Sequence, residues 1–166
     1  MKERKYEAEF ENLVQDILDH PKFKSLKSIE HHGNGLQEHC ISVAYNSYVI
    51  AKKLKLDAKS VARGALLHDF FFEDWRTVKR TGKGLERIKE MHGFSHPKTA
   101  LKNANHYFDL NDKEQDMIVK HMFPLTIIPP MYPESWVVTM VDKGVAIKEM
   151  AQEHTPRKLY RKFVMA

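Results

Sequence analysis

The chain has a single cysteine, Cys40, in 166 residues. No intramolecular disulfide can form, which suits a reducing compartment. Cys40 itself reads as a small buried hydrophobe. No apolar run approaches the roughly 18–20 residues of a membrane-spanning helix. The opening stretch, MKERKYEAEFEN, lacks the apolar centre of a signal peptide. A cytoplasmic protein with no membrane partner is the expectation. A phosphate loop is also missing, because RTGKGLER lacks a preceding strand and the Gly-Lys-Ser/Thr ending. There is no HExxH zinc motif and no Ser-His-Asp or Cys-His arrangement to argue from. Charge of one sign is scarce too, with a net +5 spread along the chain. The one dense basic cluster is Arg157, Lys158, Arg161 and Lys162, read as a solvated chain end rather than a nucleic-acid surface. The basic balance does suit a phosphorylated substrate.

What is present is helical periodicity. Phe10, Leu13, Val14, Ile17 and Leu18 form one stripe, stopped by Pro21. Cys40, Val43, Ala44, Ser47, Ala51 and Leu54 form a second. Asp57 is a good N-cap for a short helix carrying Val61, Ala65 and Leu66. The span 77–93 reads as a loop, with one helical stretch over 85–91. Ser95 and Pro97 signal a helix start, with Ala100, Leu101 and Ala104 inward. Asn111 and Glu114 form a capping box ahead of Met117, Ile118 and His121. PLTIIPPMYP is a proline-broken connection before a long helix from Glu134 to Glu153, with Val138, Val141, Val145 and Ile147 mostly inward. No run of short alternating strands and no repeat appears. An all-α, single-domain bundle of about six or seven helices is expected. Residues 1–30 would pack on a central domain spanning 31–152, and 153–166 would be a basic tail.

The stretch GALLHDFFFEDW, Gly64 to Trp75, sets a His–Asp pair between two apolar runs. A buried carboxylate without a partner costs several kcal/mol or changes its protonation. A metal ion would hold the pair, provided other ligands converge on it. His39 lies beside the second stripe, His96 in the first turn of its helix, and His121 three residues past Ile118 on the same face. Asp142 is four residues past Val138 and three before Val145, so it points with them. Each of these has an ordinary reading when taken alone, such as a histidine bonded to a backbone carbonyl or an Asp142–Lys143 surface pair. Taken together they would each need a separate buried partner, whereas a shared cation satisfies all of them. Mixed His and carboxylate ligands suit Fe, Mn, Zn, Ni or Co and argue against calcium.

The order His39, His68-Asp69, Asp142 resembles the H…HD…D signature of the HD-domain metal-dependent phosphohydrolases. EHCISVAYNSYVIAKKL resembles the first ligand helix of that family, ARGALLHDF its A-x-L-L-H-D core, and VVTMVDKGVA its closing apolar-Asp-Lys helix. HPKTA and IVKHMFP are similar to the HG-x-x-A and I-x-x-H elements of members with two metals, such as diadenosine tetraphosphate hydrolases. Cyclic-dinucleotide phosphodiesterases are a further similar group, but the chain has no GYP element. The lysine that follows HD in many relatives is absent from HDFFFEDW.

The resemblance implies an HD-type bundle holding one or two divalent transition-metal ions, two being preferred. One ion would lie on His39, His68, Asp69 and Asp142, the other on Asp69, His96 and His121. It further implies a phosphohydrolase, either monoesterase or diesterase, that attacks a nucleotide or related phosphate ester with a metal-activated hydroxide. Asp69 would be the catalytic ligand. Lys143 and Lys98 are the phosphate-contact candidates. The alternative is a non-catalytic nucleotide-sensing module with a structural or regulatory metal. His92 reads as loop, and His20, His106 and His154 as solvent-exposed. His31 and His32 are equally candidates for the pocket lining or a loop. Trp75, Tyr132 and Trp136 could stack on a base but read more simply as core or rim. No self-complementary surface is legible, so no oligomeric state is assigned.

Overall fold

The computed structural model describes residues 2–31, 34–72 and 92–153. Among these, seven α-helices form a single bundle. Helix α1 (Lys2–Leu18) buries Phe10, Val14 and Ile17, spaced four and three residues apart as one helical face requires. Pro21 ends nothing further; it opens α2 (Pro21–Ser25), where its fixed φ and missing N–H fit the first helical turn. His20 caps that helix, its Nδ1 accepting from Lys22 N–H at 3.3 Å, and its ring packs against Tyr107 and Phe108. It is therefore half-buried rather than solvent-exposed as the sequence suggested, because a cap residue here also fills a gap between helices. A 3₁₀ turn (Leu26–Ser28) leads to a two-residue antiparallel ladder, β1 (Glu30–His31) with β2 (Asn34–Gly35), which is too short to show an alternating pattern in the sequence.

Helix α3 (Leu36–Leu54) buries Leu36, His39, Cys40, Val43, Ala44, Ser47, Tyr48 and Ala51. Leu54, expected on the same stripe, is 59% exposed because it stands at the helix end, where Lys55 turns away at φ 58°. Asp57 starts α4 (Ala58–Leu66), its Oδ1 accepting from Ser60 N–H at 3.1 Å. After the undescribed stretch, α5 runs from His92 to Tyr107. It starts before Ser95, so His92 is helical rather than loop and Pro97 falls inside the helix. Helix α6 (Asp112–Lys120) carries the expected capping box: Asn111 accepts from Glu114 N–H at 2.9 Å and Glu114 from Asn111 N–H at 2.9 Å. Helix α7 (Pro133–Glu153) buries Val138 and half-buries Val141 and Val145. Ile147 is 64% exposed, against expectation. It lies five residues past Asp142, about 140° around the helix from the inward face.

The short α4 is the hub, packing on α1, α3, α6 and α7, while α3 also packs on α7 and α6 on α5 and α7. Gly64 lets α4 approach α6 closely, since a Cβ there would sit 2.6 Å from Met117 Sδ and 3.2 Å from Glu114 Cα. Phe70, just past α4, stacks into a cluster with Phe23, Phe72, Tyr107 and Phe108, and Phe71 lies edge-on to His96. The aromatic half of HDFFFEDW is therefore packing beside the polar pair. No described helix is long and apolar enough to cross a membrane. Glu73, Asp74, Trp75, Arg76, His32, His154, most of the span 77–93 and the tail beyond Glu153 lie outside the described residues.

Candidate metal centre

Five separate elements deliver the six expected ligands to one place. His39 sits in the first turns of α3, His68 and Asp69 just past the end of α4, and His96 in α5. His121 is the C-cap of α6, and Asp142 lies in the middle of α7. All but Asp142 are at most 6% exposed, and the Asp142 side chain is 13% exposed. The hub role of α4 explains the convergence. Its C-terminal end, where His68 and Asp69 emerge, is flanked by the helices that bring His39, His121 and Asp142.

The two oxygens of Asp69 face different partners. Oδ1 is 3.2 Å from His96 Nε2 and 3.3 Å from His121 Nε2, whereas Oδ2 is 3.6 Å from His68 Nε2. Asp142 Oδ1 in turn lies 3.1 Å from His39 Nε2 and 3.5 Å from His68 Nε2. His96 Nε2 and His121 Nε2 are 3.0 Å apart. Metal–nitrogen and metal–oxygen bonds of about 2.0–2.2 Å place neighbouring ligand atoms about 3.0–3.5 Å from one another in octahedral or tetrahedral shells. The separations across this cluster fall in or next to that range. Three overlapping groups meet the spacing a metal ion requires: His39, His68 and Asp69; His68, His121 and Asp142; and Asp69, His96 and His121.

Hydrogen bonds on the far side of each ring decide which nitrogen looks inward. His68 Nδ1 lies 2.7 Å from Ala65 O and His121 Nδ1 lies 2.8 Å from Ile118 O. A carbonyl only accepts, so each Nδ1 carries a proton, and in the neutral ring Nε2 presents its lone pair to the cluster. Both acceptors are three residues back, at helix ends where carbonyls have no intrahelical partner. His68 Nε2 is buried with no hydrogen bond of its own. A buried ring nitrogen without a hydrogen-bond partner is an unfavourable arrangement that a cation would satisfy. The residues present therefore fit a divalent metal ion.

The electrostatics agree. Burial pushes the His39 imidazolium toward losing its proton, but the Asp142 and Glu149 carboxylates outweigh this and raise its pKa to about 10. Burial likewise opposes a proton on His68, and the charges of Asp69 and Asp142 overcome it and raise its pKa. Burial also works against ionised Asp69, yet the neighbouring His68 and His96 charges hold its carboxyl well below the usual carboxylate range. His121 is the exception: burial pushes its pKa down, although Asp69 opposes the shift. In the metal-free chain, protons on histidine thus balance ionised carboxylates at the positions where a cation would do so.

Two expected phosphate contacts fare differently. Lys143 is half-buried, and its Nζ donates to His121 O at 3.0 Å and to Thr139 O at 3.4 Å, which places its charge beside the cluster. Lys98 is exposed and sits two residues past His96, about 200° around α5, so it leaves the helix on the other side. The structure does not bring it to the cluster. A residue not anticipated from the sequence is Glu149, 7% exposed, whose Oε2 accepts from His39 Nδ1 at 2.9 Å. The signal for it was spacing: seven residues past Asp142 is two helical turns, hence the same face. No protein-family model matches the chain, and neither a curated protein nor a solved structure matches it.

Proposed function

We propose that the chain is a metal-dependent phosphohydrolase of the HD type, acting in the cytoplasm on a nucleotide or related phosphate ester. The observation that carries the reading is the split of Asp69, one oxygen toward His96 and His121 and the other toward His68. A carboxylate placed this way suits two ions sharing it. His39, His68, Asp69 and Asp142 would hold one, and Asp69, His96 and His121 the other. Bound there, divalent transition-metal ions would supply Lewis acidity toward a phosphoryl oxygen and would acidify water toward neutrality.

The remaining work falls to the chain's own groups. His68 and His121 are locked by Ala65 O and Ile118 O, so their donor atoms need no reorganisation. Phe70 and Phe71 are buried beside the ligands and exclude water from that side, which strengthens every charge interaction in the cluster. Lys143 adds positive charge near His121, where an anionic substrate would need it.

The test is a hydrolysis screen with phosphomonoesters, dinucleoside polyphosphates and cyclic dinucleotides, run with and without added Mn(II), Fe(II) or Co(II). Metal-dependent turnover that disappears in Asp69→Ala supports the proposal. Metal-dependent turnover that survives in Asp69→Ala overturns it. Tight nucleotide binding with no turnover of any substrate would replace it with a metal-bearing sensing module.

A further inference from the structure

Helix α7 does more than present Asp142. Seven residues later it turns Glu149 inward, among neighbours Lys148 and Met150 that face solvent. A carboxylate gains nothing from burial unless a donor meets it there. The donor is His39 Nδ1 at 2.9 Å, and Asp142 Oδ1 lies 3.1 Å from Nε2 of the same ring. One helix therefore grips His39 of another helix at both nitrogens. We propose that Glu149 is a positioning residue of the metal centre: it fixes His39 with Nε2 toward the cluster and makes the His39–His68–Asp142 end the tighter of the two ion positions. This rests on the metal-dependent reading above and deepens it.

The asymmetry follows from what backs each ring. At the other end, His121 Nδ1 donates to a neutral carbonyl, Ile118 O. At this end a carboxylate takes the Nδ1 proton, and a negative charge behind an imidazole raises the donor strength of its far nitrogen more than a carbonyl does. Glu149 is not itself a member of any of the three ligand-distance groups. Its role is to act through His39, which is a member. Among the described residues the tight end also has more ligands, four side chains against three. The consequence is ordered loading: an ion at the His39 end is retained, and the ion at the His96–His121 end exchanges.

The experiment is calorimetric titration of the metal-free 166-residue chain with Co(II), which also reports ligand geometry through its visible absorption. Wild type is compared with Glu149→Gln, Glu149→Leu and His39→Ala, and the melting temperature of each metal-free form is recorded. Glu149→Gln should weaken the tightest binding step roughly 10-fold and Glu149→Leu up to roughly 100-fold, with the weaker step unchanged. His39→Ala should abolish the same step, and the absorption of the first equivalent should change in the Glu149 variants. Wild-type affinity in both Glu149 variants, with only the metal-free melting temperature lowered, would make Glu149 a structural residue and overturn the inference while leaving the metal reading intact. No Co(II) binding by wild type would overturn both. Glu149→Gln keeps the shape of the side chain, so the comparison stands even where Glu149→Leu does not fold.

Discussion

Replacing Gly64 by alanine tests whether the close approach of α4 to α6 is what assembles the cluster. The added Cβ would lie 2.6 Å from Met117 Sδ, 3.2 Å from Glu114 Cα and 3.3 Å from Met117 Cβ. The thioether can swing aside, but the Glu114 backbone belongs to a capped helix turn and yields only if α6 shifts. Overpacking of this kind costs about 1–3 kcal/mol. Alanine in place of glycine inside a helix returns about 1 kcal/mol, so the net loss should be up to about 2 kcal/mol. For a chain of this size that corresponds to a melting temperature lower by up to about 8 °C. His68 and Asp69 leave the end of α4 and meet His121 at the end of α6, with Asp69 Oδ1 3.3 Å from His121 Nε2. A shift of a few tenths of an ångström between those helices should weaken metal binding as well. Thermal denaturation of the metal-free protein and a Co(II) titration read the two effects separately. A melting temperature above that of wild type would refute the packing argument.

Other perturbations have equally definite signs. Asn111→Ala removes the cap of α6 and the 2.9 Å bond from Asn111 Nδ2 to Ser60 Oγ; chemical denaturation should show a loss of about 1–2 kcal/mol with an unchanged m-value. Because His39 keeps its proton up to a pKa of about 10 in the metal-free chain and His68 is also raised, metal binding at neutral pH must displace protons. The apparent affinity should therefore rise with pH, by up to about 10-fold per unit for each proton released, and calorimetry in buffers of different ionisation enthalpy would count those protons. In the metal-free protein the same raised pKa stabilises the fold fully below the ordinary value of 6.5 and is lost as pH climbs through about 10. His39→Gln should accordingly flatten the fall in metal-free melting temperature between pH 7 and 10.

The elements that periodicity alone determines were legible in the sequence: the stripes of α1 and α3, the Asp57 cap, the Asn111–Glu114 box and the boundaries of α7. The convergence of His39, His68, Asp69, His96, His121 and Asp142 was legible for a different reason, namely that each is an ionisable residue on a face otherwise made of Val, Ile, Ala and Leu. What the sequence obscured depends on tertiary neighbours. Glu149 stands in a polar stretch, KEMAQE, and is buried where α3 brings the His39 ring against α7. Ile147 looked inward in a run of apolar residues, yet it lies well off the face that holds Asp142 and is exposed. His92 looked like loop because Gly93 and Pro97 are poor helix residues, and α5 begins there regardless. His20 carries no pattern that would announce a cap wedged between Tyr107 and Phe108.

The most direct measurement is metal content by mass spectrometry, on protein purified without chelator or an affinity metal and again after reconstitution. The split of Asp69 between two histidine sets predicts about two transition-metal ions per chain, falling to about one in His96→Ala. A chain that takes up no metal even after reconstitution would leave His68 Nε2 and its neighbours without the cation assigned to them, and the account would fail.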